Sequence, residues 1–319
     1  MNGRERRTRP ADALSGPGDG SRAVAIGGGH GISRTLQALP RIVDHVTAVV
    51  TVADDGGSSG RLRRDLDVLP PGDLRMALTS LARDRDLADL IGYRFQRGEL
   101  AGHALGNLVL VAQQELSGGD LVAALDRLCA VLHAPGRVLP CATVPLTLLA
   151  TTPAGPIRGQ TVVAATARLE RVRLDPADAP ATPEAVQAIE RADLVVLGPG
   201  SLYTSLLPNL LVPGIRDALV ARAAPLVFVA NLREQPGETE GLSLADHLAA
   251  ITAHVPELRF DVLVTHDGPA PSGPGLPLIV APGVAEAHVG RVVAADLLDG
   301  ADGHDPSALA RVLDRVLRG

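Results

Sequence analysis

The chain has 319 residues, 46% of them hydrophobic, and a formal net charge of −6. All 30 of its Lys+Arg positions are Arg. This excludes a P-loop lysine and Schiff-base chemistry, and leaves backbone N–H groups, a metal or planar Arg forks to hold an anion. Negative charge, with three Phe, two Tyr and no Trp, argues against a nucleic-acid partner.

Residues 1–20 read as a disordered tail: Arg4, Arg6, Arg7 and Arg9 lie among Pro, Gly and Ser without the apolar run of a signal peptide. From 21 to 319 one α/β domain is expected. Continuously apolar runs at 23–26, 46–52, 194–197, 226–230, 262–264 and 278–280 predict buried parallel strands. Helical periodicity lies between them at 33–39, 74–83, 87–96, 105–115, 121–132, 184–191, 215–222, 244–252 and 306–317. The alternation predicts a Rossmann-like, doubly wound, mainly parallel sheet. A helical block at about 73–133 interrupts it, then a Pro-broken Thr/Val/Leu stretch at 138–174 that reads as an antiparallel insertion. The Pro/Gly-rich stretch 268–277 reads as a mobile loop. No run of 18 apolar residues exists, so no membrane span is expected. Cys129 and Cys141 read as free thiols of a reducing cytoplasm.

In open α/β sheets ligands bind beyond the carboxyl ends of the strands, and the informative motifs fall there. Gly27, Gly28, Gly29, His30 and Gly31 join the first strand to a helix, where backbone N–H groups can approach a phosphate. Ile32 stands where a GxGxxG pattern requires Gly, which weakens a dinucleotide reading. Asp54 and Asp55 precede Gly56, Gly57, Ser58, Ser59 and Arg61. The two acids suit a ribose hydroxyl or Mg²⁺, the small residues an anion nest, and the Arg a phosphate fork. Asp73 reads either as a helix N-cap or, with Arg75, as part of a site. His103 and Asn107 share a helix face, although a lone His is more often structural. Gly198, Gly200 and Ser201 form a second glycine loop, and Asn231 follows the next strand. These features suit a phosphate-containing nucleotide. No nucleophile–base pair, CxxC or HxxxH accompanies them.

Together IGGGHGIS, TVADDGGSSGRLRRDL, LPPGDLR, GHALGNL, GPGSLYTSLLPNLLVPGI and GETEGLSLADHL resemble the YvcK family of bacteria over about residues 22–317. Its members are gluconeogenesis factors that bind UDP-N-acetylglucosamine, and the family is similar to the CofD 2-phospho-L-lactate transferases. The resemblance implies a Rossmann-like fold and a cytoplasmic role in envelope synthesis and cell shape during gluconeogenic growth. The chain departs from the family at His30, where Thr is usual, and at Leu242, where Tyr is common. It also has Gly303-His304 in place of an Arg-His pair, and a short 268–277 loop. Three functions follow for comparison: a non-catalytic UDP-sugar sensor, expected to be a homo-oligomer; a CofD-like transferase with Mg²⁺ on Asp54 and Asp55; and a nicotinamide oxidoreductase, which the imperfect GxGxxG disfavours. The sensor is the preferred expectation.

Overall fold

The structure, a computed structural model, describes residues 14, 16–269, 272–279, 289–300 and 303–319. The expected tail therefore lies mostly outside the described residues. Its last part is tied down: the Gly18 and Gly20 N–H groups donate to Asp44 Oδ2 at 2.9 and 2.7 Å.

The strands are β1 (Arg22–Gly27), β2 (His45–Val50), β3 (Gly136–Pro140), β4 (Thr147–Thr152), β5 (Gly155–Arg158), β6 (Arg171–Asp175), β7 (Leu194–Leu197), β8 (Leu226–Val229), β9 (Phe260–His266) and β10 (Val289–Ala295). Among the described residues seven of them form one sheet in the order β10-β9-β8-β7-β1-β2-β3, every pairing parallel. The chain starts at β1, winds outward to β3, then returns beside β1 at β7 and winds the other way. The crevice between the carboxyl ends of β1 and β7 is therefore the switch point of a doubly wound sheet. Val, Leu, Ile and Ala bury β7 and β8 throughout and all of β1 after Arg22, because helices cover both faces.

The helices are α1 (Gly31–Ala38), α2 (Gly57–Leu66), α3 (Gly72–Leu81), α4 (Arg85–Gly92), α5 (Leu105–Leu116), α6 (Leu121–Val131), α7 (Gln160–Ala164), α8 (Pro183–Glu190), α9 (Leu207–Leu210), α10 (Pro213–Ala221), α11 (Leu244–His254) and α12 (Pro306–Arg318). Several begin where a side chain supplies the missing acceptor: Asp84 for α4, Asp120 for α6, Asp305 for α12, and a Ser243–Asp246 capping box for α11.

Three expectations change. The antiparallel insertion is β5-β4-β6, but residues 138–140 belong to β3, the parallel edge of the main sheet. Val138 and Leu139 are fully buried there, which a solvent-facing hairpin would not require. The run at 278–280 is not a sheet strand: Leu278 donates to Leu232 O beside an Arg233–Pro277 bridge, and Val280 lies outside the described residues. The last strand is instead β10, an edge strand buried only at Val289, whose exposed Gly290 and Arg291 hide it from a search for apolar runs. The stretch 268–277, read as mobile, is anchored in its described part. Arg233 Nε donates to Pro274 O at 3.0 Å, and Glu234 Oε1 accepts the Leu276 N–H at 2.9 Å.

Candidate functional site

A cleft of about 730 Å³ opens at the switch point, lined by both glycine loops and by segments after β2 and β8. The loops interlock. A Cβ placed on Gly31 would lie 2.4 Å from Pro199 O and 2.5 Å from Gly200 Cα, so only glycine permits the contact. Thr35 Oγ1 donates to Gly198 O at 2.7 Å, and the Asn209 amide donates to Gly27 O at 2.9 Å, locking α1 and β1 to the second loop. Asn231 clamps the other side: its Oδ1 accepts the Gly200 N–H at 2.8 Å and its Nδ2 donates to Gly200 O at 2.9 Å.

Below the first loop lies Asp73. The N-cap expectation is not met: Pro71 is the N-cap of α3 and no side chain caps it. The buried carboxylate instead lies against the first loop, where the Gly29 N–H favours its charged form, and its Oδ2 has no hydrogen-bond partner. Burial first, and then the charge of Asp54, push its pKa up to about 7. Asp54 leans toward the same helix end: a Cβ on Gly72 would stand 2.6 Å from Asp54 Oδ2. Two carboxylates thus share one end of the cleft.

Asp55, expected beside Asp54, does not line the cleft with them. Its carboxylate accepts the Gln160 N–H at 2.8 Å, the Thr161 N–H at 2.9 Å and the Thr161 hydroxyl at 2.6 Å, capping α7. Gly159 permits this through its φ of 101°, and a Cβ there would meet Asp55 Oδ2 at 2.5 Å. The donors that fit a divalent cation are Asp54 and Asp73. Among the described residues no group of three acids, His or Cys gathers for one, so water or ligand oxygens would complete its shell.

Of the residues singled out in the sequence, Gly28, Gly29, His30, Gly31, Asp54, Asp73, Gly200, Ser201 and Asn231 line the cleft. Gly27 and Gly198 lie just behind it, at the strand ends. Gly57, Ser58, Ser59 and Arg61 are not a loop but the start of α2, with Gly56 as its N-cap. Ser58 and Ser59 are buried. Asn107 Nδ2 donates to Ser58 Oγ at 3.0 Å, and Ser58 Oγ shares a hydrogen bond of 2.9 Å with His103 Nδ1. Arg75 Nε donates to Asn107 Oδ1 at 3.0 Å. These four side chains pin α2, α3 and α5 together. Arg61 Nη2 donates to Ala101 O at 2.8 Å, away from the cleft, and Arg75 faces a second cleft between α1, α3 and α4.

Thr204 and Ser205, at the end of the second glycine loop, also line the first cleft, as do Arg34 and 232–236, which sequence reasoning missed. Glu238 explains part of this wall: its buried carboxylate accepts the Tyr203 and Thr204 N–H groups at 2.7 and 3.0 Å, fixing the turn after Ser201. The signal for it was the Gly-Glu-Thr triplet after Asn231. Leu242 packs against the hydrophobic core and is not part of the lining. His304 does line the cleft; it donates to Ala230 O at 3.1 Å, and burial drives its pKa down to about 4.

Fold and site together define a doubly wound α/β protein with a glycine-walled, acid-floored cleft at its switch point. A family model described as 2-phospho-L-lactate transferase CofD matches residues 23–274. A gluconeogenesis factor of Listeria monocytogenes is 40% identical over 306 residues, covering 93% of this chain and 94% of that protein. A Mycobacterium tuberculosis relative is 47% identical over 310 residues, covering 92% and 89%. The crystal structure of a UPF0052-family protein from Bacillus halodurans superposes with a TM-score of 0.85 at 36% identity, covering 92% of this chain and 98% of that one. The chain belongs to the gluconeogenesis-factor (YvcK) family, a branch of the CofD-like proteins.

Proposed function

We propose that the chain binds a nucleoside-diphosphate sugar in the switch-point cleft, with UDP-N-acetylglucosamine the ligand to test first. It would act as a cytoplasmic regulatory factor for envelope synthesis and cell shape on gluconeogenic carbon, and as a homo-oligomer. The observation that carries the reading is the interlocked pair of glycine loops at the start of α1. With glycine at 28, 29 and 31, His30 is the one side chain of the first loop in the cleft lining, so a phosphate can approach the backbone amides there. Asp54 offers an acceptor for a ribose hydroxyl. Isothermal calorimetry with UDP-N-acetylglucosamine tests the reading; the absence of both heat and a thermal shift at millimolar ligand would refute it.

One observation favours a second reading. The Asp54–Asp73 pair, with its unpartnered Oδ2, fits Mg²⁺, which would supply charge neutralisation for a transferred phosphate group as a CofD-like transferase requires. On that reading ligand affinity depends on Mg²⁺ and an activated phosphate compound is turned over. Metal-independent binding without turnover decides for the regulatory factor. Among the described residues no helix is long and apolar enough to cross a membrane.

A further inference from the structure

Arg34 is the fourth residue of α1, one turn from the glycine loop, and its side chain is 38% exposed. It lines both the switch-point cleft and the neighbouring cleft. Its Nη2 donates to Asp299 Oδ2 at 2.8 Å, and among the described residues its other guanidinium nitrogens make no hydrogen bond to protein. Of the other basic groups that line the first cleft with it, Arg233 and His304 are differently placed. Arg233 donates to Pro274 O and Gly275 O. His304 is held neutral at pH 7 by its lowered pKa.

The seat of Arg34 depends on Gly303. A Cβ at 303 would come 2.7 Å from Arg34 Nη2, 2.7 Å from Asp299 Oδ2 and 3.3 Å from Arg34 Cζ. Gly303 does not have the positive φ that would itself demand glycine. The atoms it would strike are ends of flexible side chains. An alanine there can therefore be accommodated by the fold, but the guanidinium must leave its seat.

Resting on the cleft reading above, we propose that Arg34, seated in the notch left by Gly303, is the cation that grips the ligand's phosphate group. Position 303 then sets whether that cation is in reach. A planar guanidinium with nitrogens to spare suits a phosphate bidentately, beside the free N–H groups at the start of α1. Asp299 holds the side chain in place without occupying all its donors.

The test is calorimetry of the full chain with UDP-N-acetylglucosamine and with inorganic pyrophosphate, on wild type, Arg34→Ala, Gly303→Ala and the double variant. A lost charge-assisted contact corresponds to a loss of affinity of about 10- to 100-fold in Arg34→Ala. Gly303→Ala is expected to weaken binding in the same direction, and the double variant to bind no worse than Arg34→Ala. The affinity of Arg34→Ala should also fall less steeply with added salt than that of wild type. Thermal midpoints should stay near wild type, since a half-exposed ion pair contributes little to stability. Wild-type affinity in Arg34→Ala, or additive losses in the double variant, overturns the inference while leaving the cleft reading intact. A wild type that binds neither probe overturns both.

Discussion

The carboxylate of Asp73, in the first turn of α3, packs against Gly28 in the loop that precedes α1. One buried acid thereby joins the helical block to the glycine loop and forms the floor of the cleft. The position of Gly28 follows from it: a Cβ there would stand 2.7 Å from Asp73 Oδ2.

That acid makes stability depend on pH. Its folded pKa is pushed up to about 7, above its unfolded value near 3.8. The folded state then holds the proton over a pH range where the unfolded state has released it. Stability is fully present below about pH 4 and falls as pH rises toward 7. Asp73→Asn, which cannot ionise, should flatten this slope and be more stable than wild type at pH 8. Urea denaturation from pH 5 to 8 measures it; an unchanged slope counts against the buried acid.

His304 carries the opposite sign. Burial lowers its folded pKa to about 4 from an unfolded 6.5. Its contribution is present above pH 6.5 and is lost as pH falls through that window. In wild type this opposes the Asp73 effect over the same window, so the readout is the difference: as pH falls from 6.5 to 4, the thermal midpoint of His304→Gln should rise relative to that of wild type. Parallel curves would contradict the assignment.

Asp55 is expected to act through structure. Removing the cap of α7 in Asp55→Ala leaves two N–H groups and a hydroxyl without their acceptor, at a cost of about 1–3 kcal/mol. The effect should appear in denaturant midpoints with and without Mg²⁺. Asp54→Asn should leave stability nearly unchanged and weaken any Mg²⁺ dependence of ligand binding. If Asp55→Ala were as stable as wild type but blind to Mg²⁺, the two aspartates would have exchanged roles.

The Arg75–Asn107–Ser58–His103 chain predicts a further separation. Asn107→Ala removes the acceptor of Arg75 and the donor to Ser58, and should destabilise the chain by about 1–3 kcal/mol. Affinity in the first cleft should hold, since none of the four lines it. Loss of binding at unchanged stability would place these residues in the site after all.

Much of this was legible in the sequence because it is local. Continuous apolar runs mark β1, β2, β7, β8 and β9, since strands covered on both faces cannot alternate. Glycines at strand ends mark the switch point. Relations across long separations were not legible. Nothing near Asp55 announces a helix N-terminus 105 residues away. The start of α2 is disguised by Gly-Gly-Ser-Ser-Gly, whose intrinsic helix propensity is poor; packing overrides it by burying Ser58, Ser59 and Gly60. β10 is mostly exposed because it lies at the sheet edge. Gly303 read in the sequence as a missing basic residue, and only the structure shows the guanidinium of Arg34 in the space beside it.

The measurement that bears most directly on the central claim is a crystal structure of the chain soaked with UDP-N-acetylglucosamine. The account predicts the phosphates at the start of α1, between Gly29–Gly31 and the Gly200–Ser201 loop, with the ribose toward Asp54. Density for the ligand elsewhere, such as the cleft that Arg75 faces, or an empty switch-point cleft at saturating ligand, would contradict it.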